Sequence, residues 1–210
     1  MNALADLILV EGRRPVGIAV AAAIVFAVFG LEIFALLALA AAVVLVRAYR
    51  QPVRTVTNFE RSSVTSPCDG TVTAVETASD GTIVVEIETG LLDASLLTMP
   101  FDGNVLHRIL VRGARLPRKS PLFEALNEHG TMLFESAGGH AVRINHTLYR
   151  CPAPLLLDAV SESGKRLVRA ARYGVMVEGM TRIHLPASTR VAVNPGEKVH
   201  ATETLLGYMG

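Results

Sequence analysis

The sequence predicts a mostly β, α+β fold behind an N-terminal helical hairpin, and three observations carry that prediction. The run from 17 to 46 is almost wholly apolar, with Glu32 its one charge. Beyond residue 64 the long apolar blocks give way to period-two alternation, as in Thr71-Val72-Thr73-Ala74-Val75-Glu76-Thr77 and Thr82-Ile83-Val84-Val85-Glu86-Ile87-Glu88. Between those two stretches stands Ser79-Asp80-Gly81, a tight-turn signal. At 210 residues the chain has room for one membrane element and one domain of about 150 residues, and none for a second enzyme domain.

Residues 1–14 read as a short amphipathic lead-in, with Leu4, Leu7, Ile8 and Leu9 suited to an interface. A single helix over 17–46 would rise about 45 Å, against a hydrocarbon slab of about 30 Å, so it would tilt strongly. A break at Gly30-Leu31-Glu32 is the preferred reading. The halves 17–29 and 33–46 are each short for a full span, so a shallow or re-entrant hairpin competes with two thin spans. Arg13 and Arg14 precede the run and Arg47, Arg50 and Arg54 follow it, which keeps both ends in the cytoplasm. The run is too long for a cleaved signal peptide, and Asp6 and Glu11 sit ahead of it, so the anchor is expected to stay. The expected division is an anchor and junction over 1–54 and a β-rich domain over 55–210, with a linker over 48–64.

Within that domain Pro67-Cys68-Asp69-Gly70-Thr71-Val72 is echoed by Pro100-Phe101-Asp102-Gly103-Asn104-Val105, two similar turns entering strands. Alternation predicts further strands over 168–177 and 182–193. Asn194-Pro195-Gly196 turns the chain toward a last strand over 202–208. A helix is expected over 121–128 with Ser120 as its cap, and Leu155-Leu156-Leu157 reads as strand or helix turn.

The net charge of +1 hides two basic stretches, Arg108, Arg112, Arg115, Arg118 and Lys119, then Lys165, Arg166, Arg169 and Arg172. They suit anionic headgroups or a solvated face equally. Nothing points to nucleic acid. Cys68 and Cys151 make no metal motif and are read as small buried residues kept reduced in a cytoplasmic domain. His107, His140 and His146 fall on different elements and are read as ordinary satisfied histidines.

Several motifs line up along the chain: Glu11-Gly12 before the hydrophobic run, Tyr49-Arg50-Gln51-Pro52-Val53-Arg54 after it, and Ser66-Pro67-Cys68-Asp69-Gly70-Thr71-Val72. Met99-Pro100-Phe101-Asp102-Gly103-Asn104-Val105 and Ala137-Gly138-Gly139-His140-Ala141-Val142-Arg143-Ile144 follow, the interval after the latter running several residues long. Tyr173-Gly174-Val175-Met176-Val177-Glu178-Gly179-Met180 leads to Ile183-His184-Leu185-Pro186. Together they resemble the phosphatidylserine decarboxylase family, in its short bacterial and archaeal type. Residues 194–206 resemble the terminal hairpin that the family shares with biotinyl and lipoyl domains. The resemblance therefore implies a β domain with barrel-sandwich hairpins. It also implies a place on the cytoplasmic face of the inner membrane, in phosphatidylethanolamine metabolism.

The resemblance implies self-cleavage at a Gly-Ser bond by an Asp-His-Ser set, leaving a pyruvoyl group. Asp69 matches the Asp. Ser95 stands at the His position in Leu92-Asp93-Ala94-Ser95-Leu96-Leu97-Thr98, with Leu97 and Thr98 at flanking Asn and Arg positions. Anchored on Gly174 and Gly179, Met180 occupies the Ser position; counted back from Leu185-Pro186, Gly179 does. Neither carries a hydroxyl, and cleavage needs one to attack the preceding carbonyl and a base to take its proton. Asp69 also reads simply as an Asp-Gly turn residue. Thr181 could substitute, leaving a 2-ketobutyryl group, with His184 the nearest base in sequence, although alternation puts residues three apart on opposite faces.

The expectation is a pseudoenzyme of the family with its pyruvoyl site lost and no cofactor or metal. It would bind membrane phospholipids, partnered by an active homologue or a second copy of itself. An active decarboxylase of phosphatidylserine or a related aminophospholipid is the alternative. A biotin- or lipoate-type carrier is disfavoured, because Lys198 is not in a Met-Lys or Asp-Lys-Ala turn.

Overall fold

In a computed structural model of the chain, the structure describes residues 8–52, 54, 60–151, 153–158 and 164–210. Most of the expected lead-in, residues 1–7, and positions 53 and 55–59 of the expected linker lie outside the described residues, as do 152 and 159–163 in the long interval before Gly174. The chain divides into two compact units, Met1–Val53 with Leu91–Ala94, and Arg54–Gly90 with Ser95–Gly210.

The first unit is a helical hairpin. Helix α1 spans Val10–Val28 and α2 spans Glu32–Ala48. The break falls where the sequence places it: Gly30 takes a φ of +71°, which a side chain would resist, and its N–H closes on the carbonyl of Ala27 at 3.1 Å. Near this turn the rings of Phe26 and Phe34 lie 5.7 Å apart. At the open end Leu9 N donates to Tyr49 O at 2.9 Å, and Gly12 is needed because a Cβ there would stand 2.3 Å from Tyr49 Cβ. At 1.5 Å per residue the helices rise only about 28 and 26 Å. Among the described residues, no helix is long and apolar enough to cross a membrane.

The second unit is mostly β. Its strands are β1 (Ser63–Thr65), β2 (Gly70–Thr77), β3 (Ile83–Thr89), β4 (Leu96–Thr98), β5 (Gly103–Val111), β6 (His129–Ser136) and β7 (Ala141–Leu148). After them come β8 (Leu156–Leu157), β9 (Arg166–Leu167), β10 (Arg172–Val175), β11 (Gly179–Leu185), β12 (Arg190–Val191), β13 (Lys198–Val199) and β14 (Leu205–Tyr208). They form an eight-stranded sheet in the order β13-β2-β3-β11-β7-β6-β5-β9 and two three-stranded sheets, β1-β14-β12 and β4-β10-β8. All pairings between these strands are antiparallel. One core cluster draws on all three sheets, including Val64, Leu206, Leu97, Tyr173, Ile87, Ile144 and Ile183. The alternating burial of β6 and β7 is the physical form of the period-two pattern.

The echoed Pro-x-Asp-Gly motif has a steric cause. Gly70 and Gly103 open β2 and β5, and a Cβ on either would stand 2.4 and 2.3 Å from the carbonyl oxygens of Glu88 and Glu135. Asp80 Oδ1 accepts from Thr82 N at 2.9 Å and ties the β2–β3 turn.

Other expectations change. The helix expected over 121–128 is a single turn, α3 (Phe123–Leu126), and Ser120 does not cap it by its side chain. Glu128, assigned to that helix, instead receives Arg112 and Arg115 and the Leu155 N–H just before β6. The strand expected over 168–177 starts late, because Ala170 turns with a φ of +66°. The terminal hairpin does not form: β13 pairs with β2, while β14 pairs with β1 and β12, so the barrel-sandwich hairpins expected here are replaced by strands serving separate sheets. Leu156 and Leu157 resolve as strand β8.

Candidate functional site

Strand β11 organises the site. It lies between β3 and β7 in unbroken register, joining the β2–β3 hairpin to the β5–β6–β7 meander. Its first residue, Gly179, pairs with Thr89 on one side and Leu148 on the other. Alternation then gives the strand two faces of different chemistry.

The face carrying Met180, Arg182 and His184 points away from the core cluster. Met180 is buried with Phe123 of α3 and Tyr149, whose rings meet edge-on at 6.0 Å. The Tyr149 hydroxyl donates to Glu88 Oε1. Burial raises the Tyr149 hydroxyl well above its usual pKa, and the carboxylates of Glu88 and Glu178 raise it further. Burial also raises Glu178; Arg150 opposes that shift and Glu88 adds to it. Farther along, Glu86 takes Arg182 at 2.9 Å, Arg118 and the Thr73 hydroxyl; burial works against its ionisation, but these donors and cations outweigh it and lower its pKa. Arg112, Arg115 and Arg118 of the first basic stretch are thus bound to carboxylates of this domain. In the second stretch Arg172 pairs with Asp158 at 2.8 Å.

The opposite face, Thr181, Ile183 and Leu185, joins the core. Thr181 is fully buried opposite Ile87 and His146. His146 Nδ1 lies 2.9 Å from Thr181 Oγ1, and its Nε2 lies 2.9 Å from the Tyr173 hydroxyl. Burial alone pushes the imidazole down to about 3, so the ring is neutral at ordinary pH. Tyr173 is raised by burial, with Cys68 adding to the shift. His184, the base suggested by sequence proximity, is on the wrong face, 3.3 Å from Asn145 Nδ2.

The three positions expected to act together do share a neighbourhood. The Asp69 carbonyl accepts from Thr89 Oγ1 at 2.7 Å, and Thr89 pairs with Gly179. Ser95 O accepts from Met176 N at 2.8 Å, and a Cβ on Gly179 would stand 2.7 Å from Met176 Sδ. Thr98 N reaches Pro67 O at 2.8 Å. The Asp69 carboxylate accepts from Arg54 Nη2 at 2.5 Å and from the Ala201 N–H at 2.8 Å, with His200 Nδ1 3.7 Å away. Arg54 also reaches Glu203 at 2.8 Å. Ser95 Oγ is buried and has no hydrogen-bond partner among the described residues. Both cysteines are buried thiols, and among the described residues no group of three or more His, Cys, Asp and Glu could hold a metal ion.

A pyruvoyl group does not fit at either candidate position. Met180 is an apolar plug, and the space a side chain on Gly179 would need is taken by Met176 Sδ and, 2.8 Å away, the Thr147 carbonyl. His146, Tyr173 and Tyr149 escaped the sequence reading as site residues. Only the cross-strand register, which joins Thr181 to a residue 35 positions away, reveals the first of them.

Residues 41–207 match the phosphatidylserine decarboxylase family. Among curated proteins, the phosphatidylserine decarboxylase proenzyme of Geobacter metallireducens is 28% identical over 210 residues, covering 95% of each chain. That of Symbiobacterium thermophilum is 29% identical over 171 residues, 77% of each chain. That of Burkholderia mallei is 30% identical over 173 residues, 80% of this chain and 79% of the other.

Proposed function

Because this chain belongs to the phosphatidylserine decarboxylase family, a family of phospholipid metabolism that uses a pyruvoyl group, we propose that it binds aminophospholipid headgroups at a membrane surface without building that group at residue 180. The observation that carries this reading is the sealing of Met180 between Phe123 and Tyr149, with Ser95 standing where the base would be. A thioether cannot attack a carbonyl, and a serine hydroxyl is a poor base at neutral pH.

The surface of the first unit supports membrane attachment. Ile18, Val28, Phe29 and Ile33 are each at least 70% exposed, an apolar surface that water alone does not suit. Helices this short suit partial insertion, with Arg13, Arg14, Arg47 and Arg50 held at the cytoplasmic headgroups of the inner membrane. The division into an anchor over 1–54 and a headgroup-facing domain over 55–210 belongs to the same proposal. An active homologue would supply turnover, and a second copy of this chain is the other partner proposed.

The test is flotation of the purified full-length chain with vesicles of phosphatidylcholine alone or with phosphatidylserine or phosphatidylethanolamine added, alongside peptide mapping. Selective capture by the aminophospholipid vesicles, with residues 179 and 180 still joined, is expected. Equal capture by phosphatidylcholine alone, or a pyruvoyl group at residue 180, overturns the reading. A second reading, decarboxylation through a carbonyl made elsewhere, is favoured by one observation: the hydrogen bond between His146 and Thr181.

A further inference from the structure

We propose that Thr181 is a self-processing residue in its own right: its hydroxyl, held at 2.9 Å by His146, cuts the Met180–Thr181 bond and leaves an N-terminal 2-ketobutyryl group on the segment 181–210. The inference rests on the second reading above and gives it a site.

Four features of the core-facing side of β11 support it. The nucleophile and its proton acceptor are direct cross-strand partners, so the sheet sets their approach. The far nitrogen of His146 is fixed by the Tyr173 hydroxyl at 2.9 Å, and the tautomer with its proton on Nε2 leaves Nδ1 free to accept from Thr181. His146, Thr181 and Tyr173 are all fully buried, so water does not compete for the ester that forms. The product would also stay in place, because 181–185 remain paired with β3 and 181–184 with β7 after the cut.

The steps balance without an oxidant or reductant. Thr181 Oγ1 bonds to the Met180 carbonyl carbon as its proton passes to His146. The bond from that carbon to Thr181 N breaks, and His146 returns the proton to the nitrogen, giving an ester and a free amine. The Thr181 Cα then gives its proton to His146, which is neutral again, the electron pair forms a Cα–Cβ double bond, and the Cβ–Oγ1 bond breaks to release the Met180 carboxylate; the same proton goes to Cβ in the next step. The resulting enamine tautomerises, and one water replaces the nitrogen as ammonia departs, leaving a ketone at Cα. This site lies one residue beyond Met180 and uses a histidine of β7, whereas Ser95 stands just ahead of β4.

The experiment is the intact mass of the purified full-length chain, in detergent and in phosphatidylserine-containing vesicles, before and after treatment with an aminooxy label. Two fragments are expected, 1–180 and 181–210, with the smaller blocked to N-terminal sequencing and labelled. Thr181→Ser should give the same cut with a ketone fragment one methylene lighter. Thr181→Val, close to isosteric, and His146→Gln should each lose the small fragment while still floating with vesicles. A natural chain that stays whole in both environments overturns the proposal, whatever the serine variant does. So does a cut that leaves an unmodified threonine N-terminus, which would mean plain hydrolysis. Headgroup-selective flotation is read separately, so loss of processing and loss of lipid binding are distinguishable.

Discussion

Lowering the pH from 7 to 5 should destabilise the protein in good part through one fully buried histidine. His146 is completely buried between Thr181 and Tyr173, and burial pushes its pKa from 6.5 to about 3 in the folded chain. A depressed imidazole leaves stability intact above the unfolded value and removes it as the pH falls from about 6.5 toward about 3, because only the unfolded chain binds the proton. At pH 5 the unfolded state gains RT ln(1 + 10^(6.5 − 5)), about 2 kcal/mol, against about 0.2 kcal/mol at pH 7. The figure depends only on the native imidazole staying neutral at pH 5, so the depth of the shift below that pH does not enter. The chain has no Trp, so urea unfolding is followed by circular dichroism or by its four tyrosines, in detergent at both pH values. His146→Gln is less stable at pH 7 but should lack this increment, its loss on acidification being smaller by about 2 kcal/mol. Identical pH dependence in the two proteins would refute the buried neutral imidazole, and with it the proton acceptor assigned to Thr181.

Met180→Ser puts a hydroxyl back at the family position, yet it should lose about 3 kcal/mol in urea unfolding, because it empties the contact with Phe123 and Tyr149. Mass spectrometry should find no cut between residues 179 and 180, and a cut there would mean that this face supplies a base after all. Asp69→Asn should cost about 3 kcal/mol by the same unfolding assay, since it strips the buried partner from Arg54 while leaving the turn intact; a neutral result would mean that Glu203 alone satisfies the arginine. Gly103→Ala should cost about 2 kcal/mol or more, because its Cβ would press to 2.3 Å on the Glu135 carbonyl, and unchanged stability would show that β5 can shift relative to β6.

Elements set by local chemistry were legible. The helix break at Gly30, the β2–β3 hairpin around Asp80-Gly81 and the twin Pro-x-Asp-Gly turns each depend on residues within a few positions of one another. The family was legible for a related reason, since its motifs lie at strand openings where backbones crowd and glycine is required. What pattern could not supply was partnership across the sheet. Lys198 and Val199 alternate as a hairpin arm would, but β2 is the strand that takes them. The helix over 121–128 looked sound until Glu128, two residues past its observed end, proved to be the counter-ion of two arginines upstream. At the site, Val142, Ile144, His146 and Leu148 alternate on the buried face of β7, so an imidazole among apolar neighbours was visible in the sequence. That it meets Thr181 was not, because nothing local aligns β7 with β11.

The two faces of β11 now separate two questions that the sequence joined. On the Met180 face, Met180 packs on Phe123 and Tyr149, the carboxylate of Asp69 is bound to Arg54, and Ser95 Oγ has no hydrogen-bond partner among the described residues. On the Thr181 face a hydroxyl, a neutral imidazole and a fixing phenol stand in line within a dry core. A purely structural polar network would need the same contacts, since a buried imidazole must satisfy both nitrogens. The difference lies in the backbone beside it: a structural trio tolerates any residue 180 and an intact peptide for the life of the protein, whereas a processing trio must consume the bond next to it. The mass of the chain therefore separates the two roles, whichever lipid the protein binds.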